Sequence, residues 1–156
     1  MTMVGETLFV DTNVFLSATD RSRSNHDQAR DLLRGGIDGG YHLALSGQVI
    51  REYLVVATRP VDVNGLGLST GLALQNIDVF ARPPFVFCDE TEAVSQRLRE
   101  LVQANELVGK RIHDANIVAT MIEEGIRRLI TTNVADFSSF DAIEVVELGS
   151  EGDDSV

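Results

Sequence analysis

Asp11, Glu52, Asp114 and Asp136 each stand where an α/β chain ordinarily avoids an unpaired acid. Asp11 ends the apolar run Thr7-Leu8-Phe9-Val10, and Asp136 closes a polar turn after Leu129-Ile130-Thr131. Glu52 and Asp114 fall beside or within the apolar side of two helical stretches. Carboxylates brought together raise one another's pKa and resist burial, so four can share a site only with a compensating cation. Hard oxygen donors suit Mg2+ or Mn2+, which keep several of their own waters. The three histidines, His26, His42 and His113, show no metal-ligand spacing. A hard divalent ion lowers the pKa of bound water and so supplies a hydroxide nucleophile, and a second ion can neutralise a leaving oxygen. The residues by themselves imply one acidic pocket for a divalent metal.

Taken singly, each acid has a plainer explanation. Asp11-Thr12 reads as a helix N-cap. In the stretch 48–58, Val49, Ile50, Tyr53, Leu54, Val56 and Ala57 define a buried arc. At about 100° per residue, Glu52 projects at the border of that arc beside Val49 and Val56, and Arg51 points to the opposite side. A border glutamate paired with Arg59 would look the same. Asp114 is the sharpest case, because it projects between Val118 and Met121 inside the apolar sector of its helix. His113, Asn116, Thr120, Glu123 and Glu124 form the polar sector. An unpaired buried carboxylate costs several kcal/mol, so Asp114 needs a metal or a salt bridge, for example to Arg111 or Arg127. Asp136 alone is an ordinary turn former. Thr132 and Asn133 beside it, and Thr12 beside Asp11, are placed to orient carboxylates or metal-bound water. The set decides the matter: two acids come from strand ends and two from helices that can flank the same sheet edge.

The elements that must position these groups are legible as an alternation. Strand-length apolar runs cover 7–10, 42–45, 85–87, 129–131 and 144–147. Helical periodicity covers 12–18, 25–34, 48–58, 69–81, 90–105 and 112–124. This order predicts an α/β fold with a mainly parallel sheet and right-handed crossovers. Ligands of such sheets bind outside the carboxyl ends of the strands, where Asp11 and the 132–136 turn both fall. Arg59-Pro60 stops the third helix, and 61–68, with Gly65 and Gly67, reads as a surface loop. Pro83-Pro84 separates a helix from the next strand.

At 156 residues the chain is one domain, 1–148, followed by a Gly/Ser-rich acidic tail at 149–156. A lone cysteine, Cys88, excludes an internal disulfide and a zinc cluster. The first apolar run is too short for a signal peptide, and no stretch is long enough to cross a membrane. A cytoplasmic protein without a membrane partner is expected. Gly65-Leu66-Gly67 lacks the lysine of a phosphate loop, and no Ser-His-Asp arrangement is present. The net charge of −11 is unusual for a nucleic-acid binder. Glu151, Asp153 and Asp154 contribute three of those charges from the tail, and the four site acids contribute four more. Basic pairs at Arg21/Arg23, Arg97/Arg99 and Arg127/Arg128 read as solvated helix faces, whereas Lys110/Arg111 immediately precedes Asp114.

With these motifs in order, the sequence resembles a PIN-domain ribonuclease, most of all the VapC toxins of bacterial type II toxin–antitoxin systems. The carriers are Phe9-Val10-Asp11-Thr12-Asn13, Ser46-Gly47-Gln48-Val49-Ile50-Arg51-Glu52-Tyr53, and Arg59-Pro60 with Asn64-Gly65-Leu66-Gly67. Arg111-Ile112-His113-Asp114-Ala115 and Thr132-Asn133-Val134-Ala135-Asp136-Phe137 complete them. The likeness runs from Leu8 to about Leu148. It implies an α/β/α sandwich around a five-stranded parallel sheet, and an Mg2+- or Mn2+-dependent endoribonuclease. A homodimer and a small antitoxin that covers the pocket are implied too. The family's acidic positions fall on Asp11, Glu52, Asp114 and Asp136. Lys110 and Arg111 would neutralise RNA phosphates, and His113 would do so when charged. Two rival readings fit the same residues: a PIN nuclease of RNA processing without an antitoxin, and a non-catalytic α/β module whose acids take a metal or a partner's arginine.

Overall fold

The structure is a computed structural model that describes residues 6–35, 40–81 and 84–149. Five strands, β1 (Thr7–Val10), β2 (His42–Ser46), β3 (Val86–Cys88), β4 (Arg128–Thr131) and β5 (Glu144–Glu147), form one sheet in the order β3-β2-β1-β4-β5. Every pairing is parallel, so the sheet is wholly parallel rather than mainly so. The central strands are buried on both faces, with Leu8, Phe9, Val10, Leu129 and Ile130 all inaccessible. That is why they read as continuous apolar runs without alternation.

Between the strands lie α1 (Thr12–Thr19), α2 (His26–Gly35), α3 (Gly47–Thr58), α4 (Thr70–Phe80), α5 (Glu92–Asn105), α6 (Arg111–Glu124) and α7 (Val134–Phe137). Helices α1 to α4 pack as one group, and α5, α6 and α7 as another. Right-handed crossovers put the two groups on opposite faces, because the chain winds from β1 towards β3 and then crosses to β4 on the other side of β1. The strand order therefore reverses direction between β1 and β4. The α/β/α sandwich that the resemblance implies is present.

Several boundaries differ from expectation for identifiable reasons. The third strand is Val86–Cys88 rather than 85–87, because Ser46 pairs with the fully buried Cys88. The fifth helix starts at Glu92, where Thr91 caps it by accepting from the Val94 amide at 3.3 Å, so Glu90 lies outside the helix. The turn carrying Asp136 closes into the short helix α7. Within the loop after α3, Val61–Val63 form a 3-10 turn. Thr120, assigned to the polar side of its helix, is buried, and its hydroxyl is satisfied by donating to the Asn116 carbonyl at 2.9 Å. Pro83 and the acidic tail beyond Gly149 lie outside the described residues. Among the described residues no helix is long and apolar enough to cross a membrane.

Helix α3 carries Glu52 and is fixed at three points. Tyr53 is buried, and its hydroxyl accepts from Asn76 Nδ2 at 2.9 Å. The same hydroxyl lies 2.9 Å from Thr19 Oγ1, whose own proton goes to the Phe15 carbonyl, so Tyr53 is the donor there. This ties α1, α3 and α4 together. At the far end Arg59 turns to φ −64° and ψ 143°, the extended geometry that a following proline demands. The chain then folds back so that the Leu66 and Leu68 amides donate to the Val56 and Ala57 carbonyls. Those carbonyls have no partner further along their own helix. Gly65 makes this return possible, since a Cβ there would collide with the Arg59 carbonyl.

Candidate functional site

The carboxyl ends of β1 and β4 are adjacent at the point where strand order reverses, and the Asp11 amide continues their pairing by donating to Ile130 O at 3.1 Å. Asp11 caps α1 in extended geometry, φ −71° and ψ 155°, so the cap reading holds. It is also more than a cap. Its Oδ1 accepts from the Thr12 amide at 2.8 Å, and its Oδ2 accepts from Asn13 Nδ2 at 3.0 Å and Thr131 Oγ1 at 2.9 Å. Asn13 in turn accepts the Thr132 amide at 3.1 Å, and the Asn133 amide donates to Thr131 Oγ1 at 3.0 Å. The end of β4 is thereby stitched to the start of α1. Asp11 is only 6% exposed, and burial raises its carboxyl from 3.8 to about 6. Donors from Thr131, Thr12 and Asn13 pull it down, while the Glu52 charge pushes it up.

Glu52 reaches the same place from α3. Thr12 Oγ1 donates to its Oε1 at 2.8 Å, and Gln48 Nε2 donates to its Oε2 at 3.2 Å. Both oxygens are held, so Glu52 is neither a free border residue nor a partner of Arg59. Asp114, in the first turn of α6, is partly buried. Burial lifts its carboxyl to about 6, and the charges of Asp136, Asp11 and Glu52 add to the rise, with Arg111 opposing. Asp136 is exposed on α7.

All four acids line one open cleft of about 700 Å³, with Thr12, Asn133, Lys110 and His113 on its wall. Leu16, Val55, Val56 and Phe137 make its apolar side. Two expected site residues are placed otherwise. Arg111 turns away, donating to the Asp136 carbonyl at 3.1 Å and Ser139 Oγ at 3.2 Å, with its guanidinium over the Phe140 ring. The threonine hydroxyl that holds Asp11 is that of Thr131, while Thr132 contributes its amide to Asn13. Arg51, expected to face away, lines the cleft, because its long side chain reaches around the helix end to within 3.8 Å of Glu90.

Sequence reasoning did not assign Thr131, Asn13, Gln48, Asn116 or Glu90 to the site. Asn13 carried a weak signal as a small polar residue two positions after Asp11, and Thr131 a weaker one as the polar last residue of a strand, five positions before Asp136. Gln48 carried one too, since it sits one turn before Glu52; in the structure its buried amide is partnered by Glu52, the His113 carbonyl and Asn116.

Among the described residues no three His, Cys, Asp or Glu side chains stand close enough to hold an ion as they are placed. The donor chemistry nevertheless fits one. Four carboxylates converge on one cleft, two of them displaced upward by burial and mutual repulsion, and a hard divalent cation is what such a set accepts.

A wholly parallel sheet covered on both faces, with an acidic cleft at its switch point, defines an α/β domain with a candidate carboxylate-bound metal site. Residues 8–143 match the PIN domain family, and the chain belongs to it. It is similar to Ribonuclease VapC48 of Mycobacterium tuberculosis, with 29% identity over 136 residues covering 86% of this chain and 92% of that one. Among solved structures it resembles VapBC-1 from nontypeable Haemophilus influenzae at a TM-score of 0.65 and 13% identity, over 91% of this chain and 98% of the other. It also resembles VapC20 of M. tuberculosis, a sarcin–ricin loop cleaving toxin, at a TM-score of 0.59 and 19% identity, over 78% and 86% of the two chains. These structural likenesses establish the fold.

Proposed function

We propose that this protein is the toxin of a type II toxin–antitoxin pair, a metal-dependent endoribonuclease restrained by a cognate antitoxin. The observation that carries the enzymatic reading is the convergence of Asp11, Glu52, Asp114 and Asp136, from four separate elements, on one cleft at the sheet's switch point. Membership of the PIN family and likeness to a protein named a ribonuclease support it. Structural neighbours that are toxin–antitoxin complexes support the partner. The protein acts as a homodimer in this reading.

Asp11, Glu52 and Asp114, with Asp136 as a fourth, would hold Mg2+ or Mn2+. When bound, such an ion supplies a water acidic enough to act as a nucleophile at neutral pH and offsets charge on the phosphodiester. The remaining work belongs to the chain itself. Thr131, Asn13 and the Thr12 amide aim the Asp11 carboxylate, and Thr12 and Gln48 aim that of Glu52. Lys110 and His113 on the rim bind RNA phosphates, joined by Arg51 in place of Arg111. The apolar side formed by Leu16, Val55, Val56 and Phe137 receives a base or ribose face.

The deciding experiment incubates purified protein with total RNA in EDTA, then with Mn2+ or Mg2+, and sequences the fragments. Cleavage should require the metal, and Asp114→Asn should lose it by about 100-fold or more, since even residues that only support metal ligands cost 10–100-fold. Asp114→Asn cleaving at the wild-type rate would refute the site. A protein that binds the metal but turns over no RNA would be the non-catalytic module instead.

A further inference from the structure

Behind Glu52, Gln48 is held by Glu90 and Asn116, two polar side chains that the catalytic reading does not use. Glu90, just past β3, faces the start of α3 and accepts from the Gln48 amide at 3.0 Å through Oε2. Ser46, the N-cap of that helix, makes no side-chain cap, so the charge favoured at a helix N-terminus comes from another strand's end. The other oxygen of Glu90 accepts from Asn116 Nδ2 at 2.7 Å, and Asn116 Nδ2 also donates to Gln48 Oε1 at 2.7 Å. Gln48 Nε2 then spends its two hydrogens on Glu52 Oε2 at 3.2 Å and the His113 carbonyl at 2.8 Å.

This arrangement has one satisfied orientation. Turning the Gln48 amide over would set its oxygen against the His113 carbonyl and the Glu52 carboxylate, and its NH2 against the Asn116 donor. Asn116 and Glu90 therefore decide which face Gln48 shows to Glu52, and that face is a donor. A glutamate in a cleft shared with three other acids is driven outward by repulsion, and the Thr12 tether restrains only one of its oxygens. Resting on the metal-nuclease reading above, we infer that Gln48, oriented by Asn116 and Glu90, is a positioning residue that fixes the Glu52 carboxylate for metal binding. Neither Asn116 nor Glu90 lines the cleft, so their effect passes through Gln48.

The test compares the full chain with Asn116→Ala and Gln48→Met, which preserves the side-chain volume of a 2% exposed position without its donor. Mn2+ affinity is read without RNA, from the electron paramagnetic resonance of the free ion, and kcat and KM are measured at saturating Mn2+. Mn2+ affinity should fall about 10-fold or more in Gln48→Met and several-fold in Asn116→Ala, as for other groups that aim metal ligands. At saturating Mn2+ the KM for RNA should not move in Asn116→Ala, because Asn116 does not line the cleft. Wild-type affinity in folded Asn116→Ala would overturn the relay while leaving the metal site standing. Wild-type protein that takes up no Mn2+ would overturn the metal reading and the relay with it.

Discussion

The buried carboxyl of Asp11 should make the metal-free protein less stable as pH rises, and Asp11→Asn should remove its share of that loss. A folded-state pKa raised from 3.8 to about 6 means that folding favours the protonated form. The stabilisation is therefore complete below about pH 4, and it is lost as pH climbs through 6. Each tenfold change in proton affinity is worth about 1.4 kcal/mol, so the displacement amounts to about 3 kcal/mol between pH 4 and 7. The group is 6% exposed, so little solvent screening reduces that figure. Replacing the acid also disturbs hydrogen bonds to Thr131, Asn13 and the Thr12 amide, but that offset does not change with pH. Urea unfolding of both proteins in EDTA at half-unit steps from pH 4 to 7.5 gives their stability difference as a curve. Wild type should lose about 3 kcal/mol relative to the variant across that window. Asp114 adds in the same direction, since the Asp11 charge helps raise it. Saturating Mn2+ should flatten the curve by compensating the ionised form. A difference that stays constant, or that grows in favour of wild type as pH rises, would refute the burial argument.

Gly65→Ala should destabilise the fold by about 2–3 kcal/mol or more in urea melts, because the added carbon meets the Arg59 carbonyl and forces the loop off the end of α3. Lys110→Ala should raise KM for RNA while leaving Mn2+ affinity unchanged. It should also reduce the slope of log KM against log salt by roughly 0.7–1, the change expected when one phosphate is no longer neutralised.

The fold is readable because its signals are local and repeated. The β1 and β5 limits coincide with their apolar runs, and the helices alternate with strands in an order compatible with few topologies. What escapes a reading of the sequence depends on partners far apart along it. That Thr131 rather than Thr132 meets Asp11 follows from a pairing across 120 positions. The expectation for Arg51 fails because a helical wheel records where a Cβ points, whereas a long guanidinium follows the charge of Glu90, which only β3 brings near. Proximity to Asp114 in sequence suggests Arg111 for the cleft, yet Asp136's carbonyl, Ser139 and Phe140 hold it on the far side of α7. The acids are legible as a set: Asp11 and Asp136 are ordinary cap and turn residues taken singly, and it is their shared sheet edge with Glu52 and Asp114 that marks them.

A net charge of −11 and an RNA substrate are compatible if the chain separates where it is acidic from where it grips. Several cations are already committed elsewhere: Arg97 to Glu123 and Glu100, Arg128 to Glu6 and Glu144, and Arg23 to Asp20. Lys110, His113 and Arg51 stand on the cleft, beside the acids rather than spread over the surface. Such a surface retains RNA poorly without metal, since counterion release needs many phosphate contacts and this rim offers few. Mutual repulsion among the carboxylates costs folding energy in the empty cleft, and a bound divalent ion returns it. On the proposed function the same imbalance would couple three properties: the acids would weaken the metal-free fold, bind the ion that relieves them, and make RNA binding conditional on that ion.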